Sequence, residues 1–354
     1  MFSKSLTYNL CLAFIFWFST AHAQDDQKYK VVVGGFYNLE NLFDTEDDTL
    51  INDEEFLPEG ARAWTPEVYH EKLANMAYVI SMIGLPDVPN GVAFLGVSEI
   101  ENRGVLESLV EQPTIKGRHY EIIHYDSPDR RGVDVGFLYN PMLFKPLYSA
   151  ALPLFLWEPN GDRRYTRDVL YVKGMIEADT FHIFVNHWPS RGGGEALTAP
   201  GRNKGAALCK QAIDSIRTVD PHAKCIVMGD LNDDPNNDSL KKYLMTVSKI
   251  DDMRATTMFN PFDDMFRRGQ GTTAYRDAWS LFDQIVVSEG LTDKRTPGFH
   301  FYKANIFNKA FLVQTTGKYK GYPKRTFDGD TYQGGYSDHF PTYIYLVKKS
   351  GMNP

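Results

Sequence analysis

Six short polar motifs adjoin apolar, β-branched runs in this chain, and their side chains are of the types that hold hard cations and move protons. Tyr37-Asn38-Leu39-Glu40-Asn41 closes the run Lys30–Tyr37, and Ser98-Glu99 follows Val92–Val97. Asn186-His187-Trp188 follows Phe181–Val185, and Gly229-Asp230-Leu231-Asn232-Asp233 follows Cys225–Met228. Asp283 opens Phe282–Val287, and Ser337-Asp338-His339 precedes Tyr343–Val347. Asn38, Glu99, Asp230, Asn232 and Asp338 offer oxygen donors only. Oxygen donors suit Mg²⁺, Mn²⁺ or Ca²⁺, and the Cys/His sets that favour Zn²⁺ are missing. His187 and His339 are apt for proton transfer beside such an ion. Metal, acid and base together fit hydrolysis of a phosphate ester: the ion steadies charge on the phosphoryl oxygens, one group activates water and another protonates the leaving group.

Taken singly, each motif has an ordinary structural explanation. Gly-Asp-Leu-Asn can be a turn at a strand end. Glu99 can be a solvated carboxylate, His187 a satisfied histidine against Trp188, Asp283 a strand cap, and Asp338-His339 plain surface. The chemistry depends on elements that bring them to one place. The short apolar runs, with Val133–Tyr139 and Val169–Ile176, are bounded by Gly, Pro, Asn or Asp, as strands are. Pro66–Ile83 has apolar residues at helical spacing after a Thr65 cap, and Gly205–Arg217 reads as a second helix. Hairpin-like and crossover connections mix, which predicts an α/β domain of packed sheets covered by helices. No composition shift divides it, so the expectation is one domain over residues 28–348. Strand ends in stacked sheets can converge on one rim and form one site.

The order of Asn38, Ser98-Glu99, His187, Gly229-Asp230-Leu231-Asn232, Phe282-Asp283-Gln284-Ile285 and Ser337-Asp338-His339 resembles the endonuclease/exonuclease/phosphatase superfamily. That group includes pancreatic-type deoxyribonucleases, repair nucleases, bacterial sphingomyelinases and inositol-polyphosphate 5-phosphatases. The resemblance spans nearly all of the chain beyond its N-terminal segment. Asn41-Leu42-Phe43-Asp44 and Gly334-Gly335-Tyr336-Ser337-Asp338-His339-Phe340-Pro341 look like a secreted bacterial branch often labelled endonuclease. The resemblance implies a four-layer α/β sandwich, two mixed β-sheets face to face with helices outside. It also implies Glu99 as the main metal ligand with Asn38 beside it, and Asp338 as a further ligand or an orienting carboxylate. Asp230 and Asn232 would orient water or bind metal and phosphate. His339, oriented by Asp283, would contact the phosphate or act as base. His187 stands where the family's repair nucleases carry Tyr and its deoxyribonucleases carry His.

The flanking sequence bounds the setting. Lys4, the apolar stretch Leu10–Phe18 and Ala21-His22-Ala23 read as a signal peptide over residues 1–23, with the mature chain starting near Gln24 and a secreted or periplasmic destination. Cys209 and Cys225 then remain, and the sequence leaves their pairing open. A formal net charge of -7 argues against capture of nucleic acid by bulk charge, so local basic groups must do it. Lys294–Arg325 holds eight basic residues, no acidic ones and seven Phe or Tyr, which suits a phosphate-tracking surface or an insertion packed on the core. Arg325, Arg191, and Arg131 beside Arg130 are the candidate phosphate contacts. Asp44–Glu59 holds eight acidic residues without EF-hand spacing, a solvated loop or a Ca²⁺ loop. The expected activity is a metal-dependent endonuclease on DNA, RNA or both. The alternatives are a sphingomyelinase-like enzyme on phospholipid or an inositol-phosphate phosphoesterase, and last a non-catalytic binding module. A membrane-acting enzyme would need an exposed apolar hairpin, for which Phe299–Phe311 is the candidate stretch.

Overall fold

The computed structural model describes residues 29–350, so the signal-peptide reading of residues 1–23 lies outside the described residues. Strands β1 (Tyr29–Leu42), β2 (Phe94–Ile100), β3 (Glu121–His124) and β4 (Asp134–Tyr139) come first, with helices α1 (Pro66–Met82) and α2 (Arg103–Val110) between them. Then follow β5 (Lys145–Leu152), β6 (Val169–Ile176), β7 (Asp179–His187), helix α3 (Glu195–Val219) and β8 (Lys224–Asp230). Last come β9 (Thr246–Val247), β10 (Met258–Phe259), β11 (Asp283–Ser288), β12 (His300–Ile306) and β13 (Thr342–Lys349). One six-stranded sheet has the order β12-β13-β1-β2-β4-β3, and a seven-stranded sheet has the order β9-β10-β11-β8-β7-β6-β5.

Alternation along the strands builds three apolar layers, and these separate four layers of structure. Val33, Tyr37 and Leu39 of β1 and Leu95 and Val97 of β2 face α1 and α2, which contribute Leu73, Met76, Ile80, Leu106 and Leu109. Their strand neighbours Val32, Phe36 and Phe94 point the other way, against Ile183, Val185, Ile226, Met228 and Ile285 of the second sheet. The outer face of that sheet, with Phe184, Cys225, Val227 and Val286, is covered by Ala206, Cys209 and Ile213 of α3. The architecture is the expected sandwich of two mixed sheets with helices outside. Gly96 marks how closely the sheets meet, since a Cβ there would lie 2.8 Å from the Met228 sulfur. Cys209 and Cys225 are both buried and free.

The chain directions decide where the polar ends go. β1 and β2 run parallel, as do β7 and β8, so Asn38, Glu99, His187 and Asp230 lie at carboxyl ends. β13 runs antiparallel to β1 and β11 antiparallel to β8, which returns His339 and Asp283 to the same rim from the opposite chain direction. Asp230 is in register with both His187 and Asp283.

One strand is added to the sequence reading here, and the reading of the basic segment changes. Lys145–Leu152 is a strand that the sequence hides: Pro146 and a largely unburied pattern suit a sheet edge, where a missing N–H is tolerated. Lys294–Arg325 is not one surface. Its middle forms β12, whose His300 end pairs with Val347, far along β13 from the His339 rim. Arg295 at that far end is spent on Asp293. Phe299 and Phe307 are buried, so Phe299–Phe311 offers no exposed apolar hairpin.

Candidate active site

The rim is tied across the two sheets by side-chain hydrogen bonds. Asn38 of β1 donates from Nδ2 to Asp230 Oδ2 of β8 at 3.1 Å, and its Oδ1 accepts the Glu40 N–H at 2.8 Å. The Ser337 hydroxyl donates to the Asn38 carbonyl at 2.7 Å and accepts the His339 N–H at 3.0 Å, which fixes the histidine relative to β1. Asp230 Oδ1 accepts the Asn232 N–H at 3.0 Å, and the Asn232 amide donates to the Trp188 carbonyl at 2.9 Å. Glu40, Asn41, Glu99 and Asn232 all take positive φ, 50 to 58°, a sparse conformation for residues with a Cβ that clusters here at the strand ends. Gly229 permits the turn into Asp230, because a Cβ there would lie 2.2 Å from the Asn186 carbonyl oxygen.

The ionisable groups then face one another. His339 Nδ1 and Asp283 Oδ2 are 2.7 Å apart, both buried, so Nδ1 carries the proton toward the carboxylate. His339 Nε2 points to the centre, 3.9 Å from Asp230 Oδ2 and 4.0 Å from Asp338 Oδ1. His187 Nε2 lies 3.7 Å from Asp230 Oδ2 and 3.8 Å from Glu99 Oε1. Glu99 Oε2 accepts the Asn41 N–H at 3.1 Å. Burial by itself lowers the His339 pKa, but Asp283 and Asp230 outweigh it and hold the ring well above the usual histidine range. Burial, then the charges of Arg167 and Arg131, hold His187 well below that range. The two rings are thus pushed in opposite directions, His339 toward the imidazolium and His187 toward the neutral form. Burial, then Asp283 and Glu99, push Asp230 up to about 7 against the opposing pull of His339.

Three carboxylates, Glu99, Asp230 and Asp283, therefore share the rim with one imidazolium. That excess of negative charge fits a divalent cation, and Glu99, His187 and Asp230 can each offer a ligand atom within 4.8 Å of the others. The structure brings the sequence candidates Asn38, Glu99, His187, Asp230, Asn232, Asp283 and His339 together. Among the candidate ligands, Glu99 stands in this group. Asn38 acts through its bond to Asp230, and Asp338 is paired with Arg325 at 3.2 Å on the His339 side.

The three candidate arginines fall in different settings. Arg325 reaches the rim through Asp338. Arg131 is largely exposed, and its charge is felt at His187. Arg191 is occupied: its donors go to the Asn232 carbonyl, Glu195, Asp233, Asp234 and Asn237, and its guanidinium lies over the Phe282 ring. It clasps the Asp230–Asp234 loop from behind.

Sequence reasoning missed three residues. Arg167 is buried, donates to the His187 and Trp188 carbonyls at 3.2 and 2.9 Å, and pairs with Asp129 at 2.8 Å. Lys72 is fully buried on α1 and donates to Thr326 Oγ1 and the Tyr336 carbonyl, both at 2.6 Å, so the helix holds the loop leading to Asp338. Glu40, buried nearby, accepts the Thr326 N–H at 2.7 Å. Burial pushes Glu40 up to about 7 and Lys72 down to about 8. Lys72 left one visible signal: it sits three residues after Tyr69 and four before Met76, a charge on the apolar stripe of the helix.

The family model described as Endonuclease/Exonuclease/phosphatase family matches residues 33–348. An endonuclease/exonuclease/phosphatase family protein from Bacteroides thetaiotaomicron is similar in structure, with 14% identity, a TM-score of 0.53, and 91% of this chain and 100% of that chain covered. D. rerio TDP2 complexed with single-strand DNA product is similar at 14% identity and a TM-score of 0.51, covering 89% of this chain and 98% of that one. A mannosyl-6-phosphatase from Bacteroides thetaiotaomicron is similar at 15% identity and a TM-score of 0.52, covering 89% and 99%. No curated protein matches significantly by sequence. At these identities the solved structures speak for the fold, while the family model spans both sheets and every residue of the rim. The chain therefore belongs to the endonuclease/exonuclease/phosphatase family of phosphate-ester hydrolases.

Proposed function

We propose that this chain is an exported, Mg²⁺-dependent phosphodiesterase that cuts nucleic acid, with Mn²⁺ the next-best ion and Ca²⁺ the third. The observation that carries the reading is the Asp283–His339 pair aimed at Asp230, opposite His187 and Glu99. A divalent cation held by Glu99 and Asp230 would supply charge to the phosphoryl oxygens and lower the pKa of water. The chain's own groups do the rest. Asp283 keeps the His339 ring protonated on Nδ1 and charged, so Nε2 can donate to a phosphoryl oxygen where negative charge grows. His187, close to Glu99 and Asp230 and held toward its neutral form, can take a proton from water and then pass that proton to the leaving oxygen. Asn38 and Asn232 hold Asp230 in place through its two oxygens.

Nucleic acid is supported over lipid by the burial of Phe299 and Phe307, which removes the candidate membrane hairpin. The similar D. rerio TDP2 structure that contains a DNA product supports the same choice. Export is supported by the pattern of residues 1–23, and N-terminal sequencing of protein recovered outside the cytoplasm should begin at Gln24. Purified protein should cleave plasmid DNA or RNA in Mg²⁺ and lose that activity in EDTA, with sphingomyelin and inositol phosphates turned over more slowly. Faster hydrolysis of sphingomyelin than of either nucleic acid would overturn the substrate reading, and full activity in excess chelator would overturn the metal.

The pairing of Asp283 with His339 makes a sharper prediction. His339→Ala should lower kcat by on the order of 10²–10³-fold, and Asp283→Asn should lose a similar amount. Because the two act as one unit, the double variant should be little worse than either single one. Steady-state kinetics on one oligonucleotide, with circular dichroism to check folding, would decide. Multiplying losses would mean that Asp283 acts independently of the histidine.

A further inference from the structure

A groove of about 440 Å³ opens beside the rim, lined by Arg130, Arg131, Arg163, Arg164 and Arg167 among others. It adjoins the site at Arg167, which forms part of its wall and hydrogen-bonds the His187 carbonyl, and at Pro189 and Ser190, which directly follow Trp188. Glu158, Asp162, Arg163 and Arg164 of its lining belong to a short hairpin, Leu156–Trp157 paired with Arg163–Arg164, closed by a turn in which the Glu158 N–H donates to the Asp162 carbonyl at 2.8 Å.

Five arginines face three carboxylates here, and the carboxylates are already engaged. Asp129 is held by Arg167 at 2.8 Å and lies 3.8 Å from Arg131, Glu158 is 3.8 Å from Arg164, and Asp162 accepts the Asn160 amide at 2.8 Å. Arg130 and Arg163 have no carboxylate within 4 Å among the described residues. Both lie near aromatic rings, Arg163 half-buried and Arg130 exposed. The Arg163 guanidinium lies 4.4 Å from the Phe155 ring centre and 5.1 Å from that of Tyr165, and Arg130 lies 5.7 Å from the same Tyr165 ring. The Arg163 Nε is buried and has no hydrogen-bond partner. The rings beside Arg163 restrict its guanidinium while taking none of its N–H donors, and a guanidinium fork suits a phosphate.

We infer that this groove is a second phosphate subsite, which takes a phosphate of the substrate adjacent to the one that is cleaved, with Arg130 and Arg163 as its free donors. The inference rests on the phosphoesterase reading of the rim and narrows it: the preferred substrates carry more than one phosphate. A single-phosphate ester would leave both arginines unmatched. A nucleic-acid strand supplies the second phosphate from its neighbouring residue, and a sugar or inositol bisphosphate would supply it from the ring. The basic segment that stood out in the sequence, Lys294–Arg325, lies partly on the far end of the sheet, whereas this groove adjoins His187.

The test compares substrates that differ by one phosphate. The dinucleotide TpT is assayed with and without a terminal phosphate at each end, and inositol 1-phosphate against inositol 1,4-bisphosphate. Wild-type protein should favour the more phosphorylated member of at least one pair by roughly tenfold or more in kcat/KM. In Arg130→Gln/Arg163→Gln that preference should fall to about one, and Arg163→Lys, which keeps charge without the planar fork, should fall between. Binding of the same dinucleotides in EDTA, followed by calorimetry, separates this claim from the enzymatic one. A terminal phosphate should tighten binding to wild type and to Glu99→Gln alike, but not to the arginine variant. No gain from the added phosphate in any series, or a gain that survives in the arginine variant, would overturn the subsite. A binding gain with no hydrolysis of any substrate would overturn the proposed activity and leave the subsite standing.

Discussion

The hydrogen bond from Asn38 to Asp230 is the joint on which the rest of the site depends, because it crosses from one sheet to the other. Each sheet alone carries half of the chemistry. The first brings Asn38, Glu99 and, through β13, His339; the second brings His187, Asp230 and Asp283. Apolar packing between the sheets sets their separation to about one side-chain layer but leaves sliding in the plane comparatively soft. A buried amide–carboxylate bond with a defined geometry removes that freedom. Ser337 extends the same lock by joining the Asn38 carbonyl to the His339 backbone.

The lock comes with electrostatic tension. Asp230 is 2% exposed and sits with Glu99 and Asp283 against a single imidazolium. Buried like charges oppose folding unless something compensates them. Around the rim, other charges are deployed to hold backbone in place. Arg167 grips the carbonyls of His187 and Trp188, Arg191 grips the Asp230–Asp234 loop, and Lys72 grips the loop before Asp338. The four positive-φ residues at the strand ends belong to the same pattern, local strain held by surrounding bonds at the place where geometry matters. A divalent cation resolves the tension by adding the missing positive charge.

Much of this was legible in the sequence where function and local pattern coincide. Asp230, Asn232, Asp283 and His339 adjoin runs whose β character is plain, and a strand end is where a short polar motif stands out. Helix α1 was readable because Thr65 caps it, its oxygen accepting the Val68 N–H, and Pro66 starts it. What stayed hidden depends on distant contacts. Lys72 meets Thr326 some 254 positions away, and Arg167 meets Asp129 38 positions away. Arg163 looks like any surface arginine until Phe155 and Tyr165 are seen beside it. The basic stretch Lys294–Arg325 misled for the converse reason: composition is blind to a strand that carries half of a segment to the other end of a sheet.

The central claim is that the rim is short of positive charge and that a divalent cation supplies it. Thermal unfolding of wild type and Glu99→Gln, each with and without Mg²⁺, tests this directly, because Glu99 lies outside the Asn38–Asp230 joint. Removing one of three clustered carboxylates should leave the metal-free protein at least as stable as wild type, and Mg²⁺ should raise the Tm of wild type while shifting that of Glu99→Gln little. An equal Mg²⁺ shift in both proteins, or a variant markedly less stable than wild type without metal, would contradict the account.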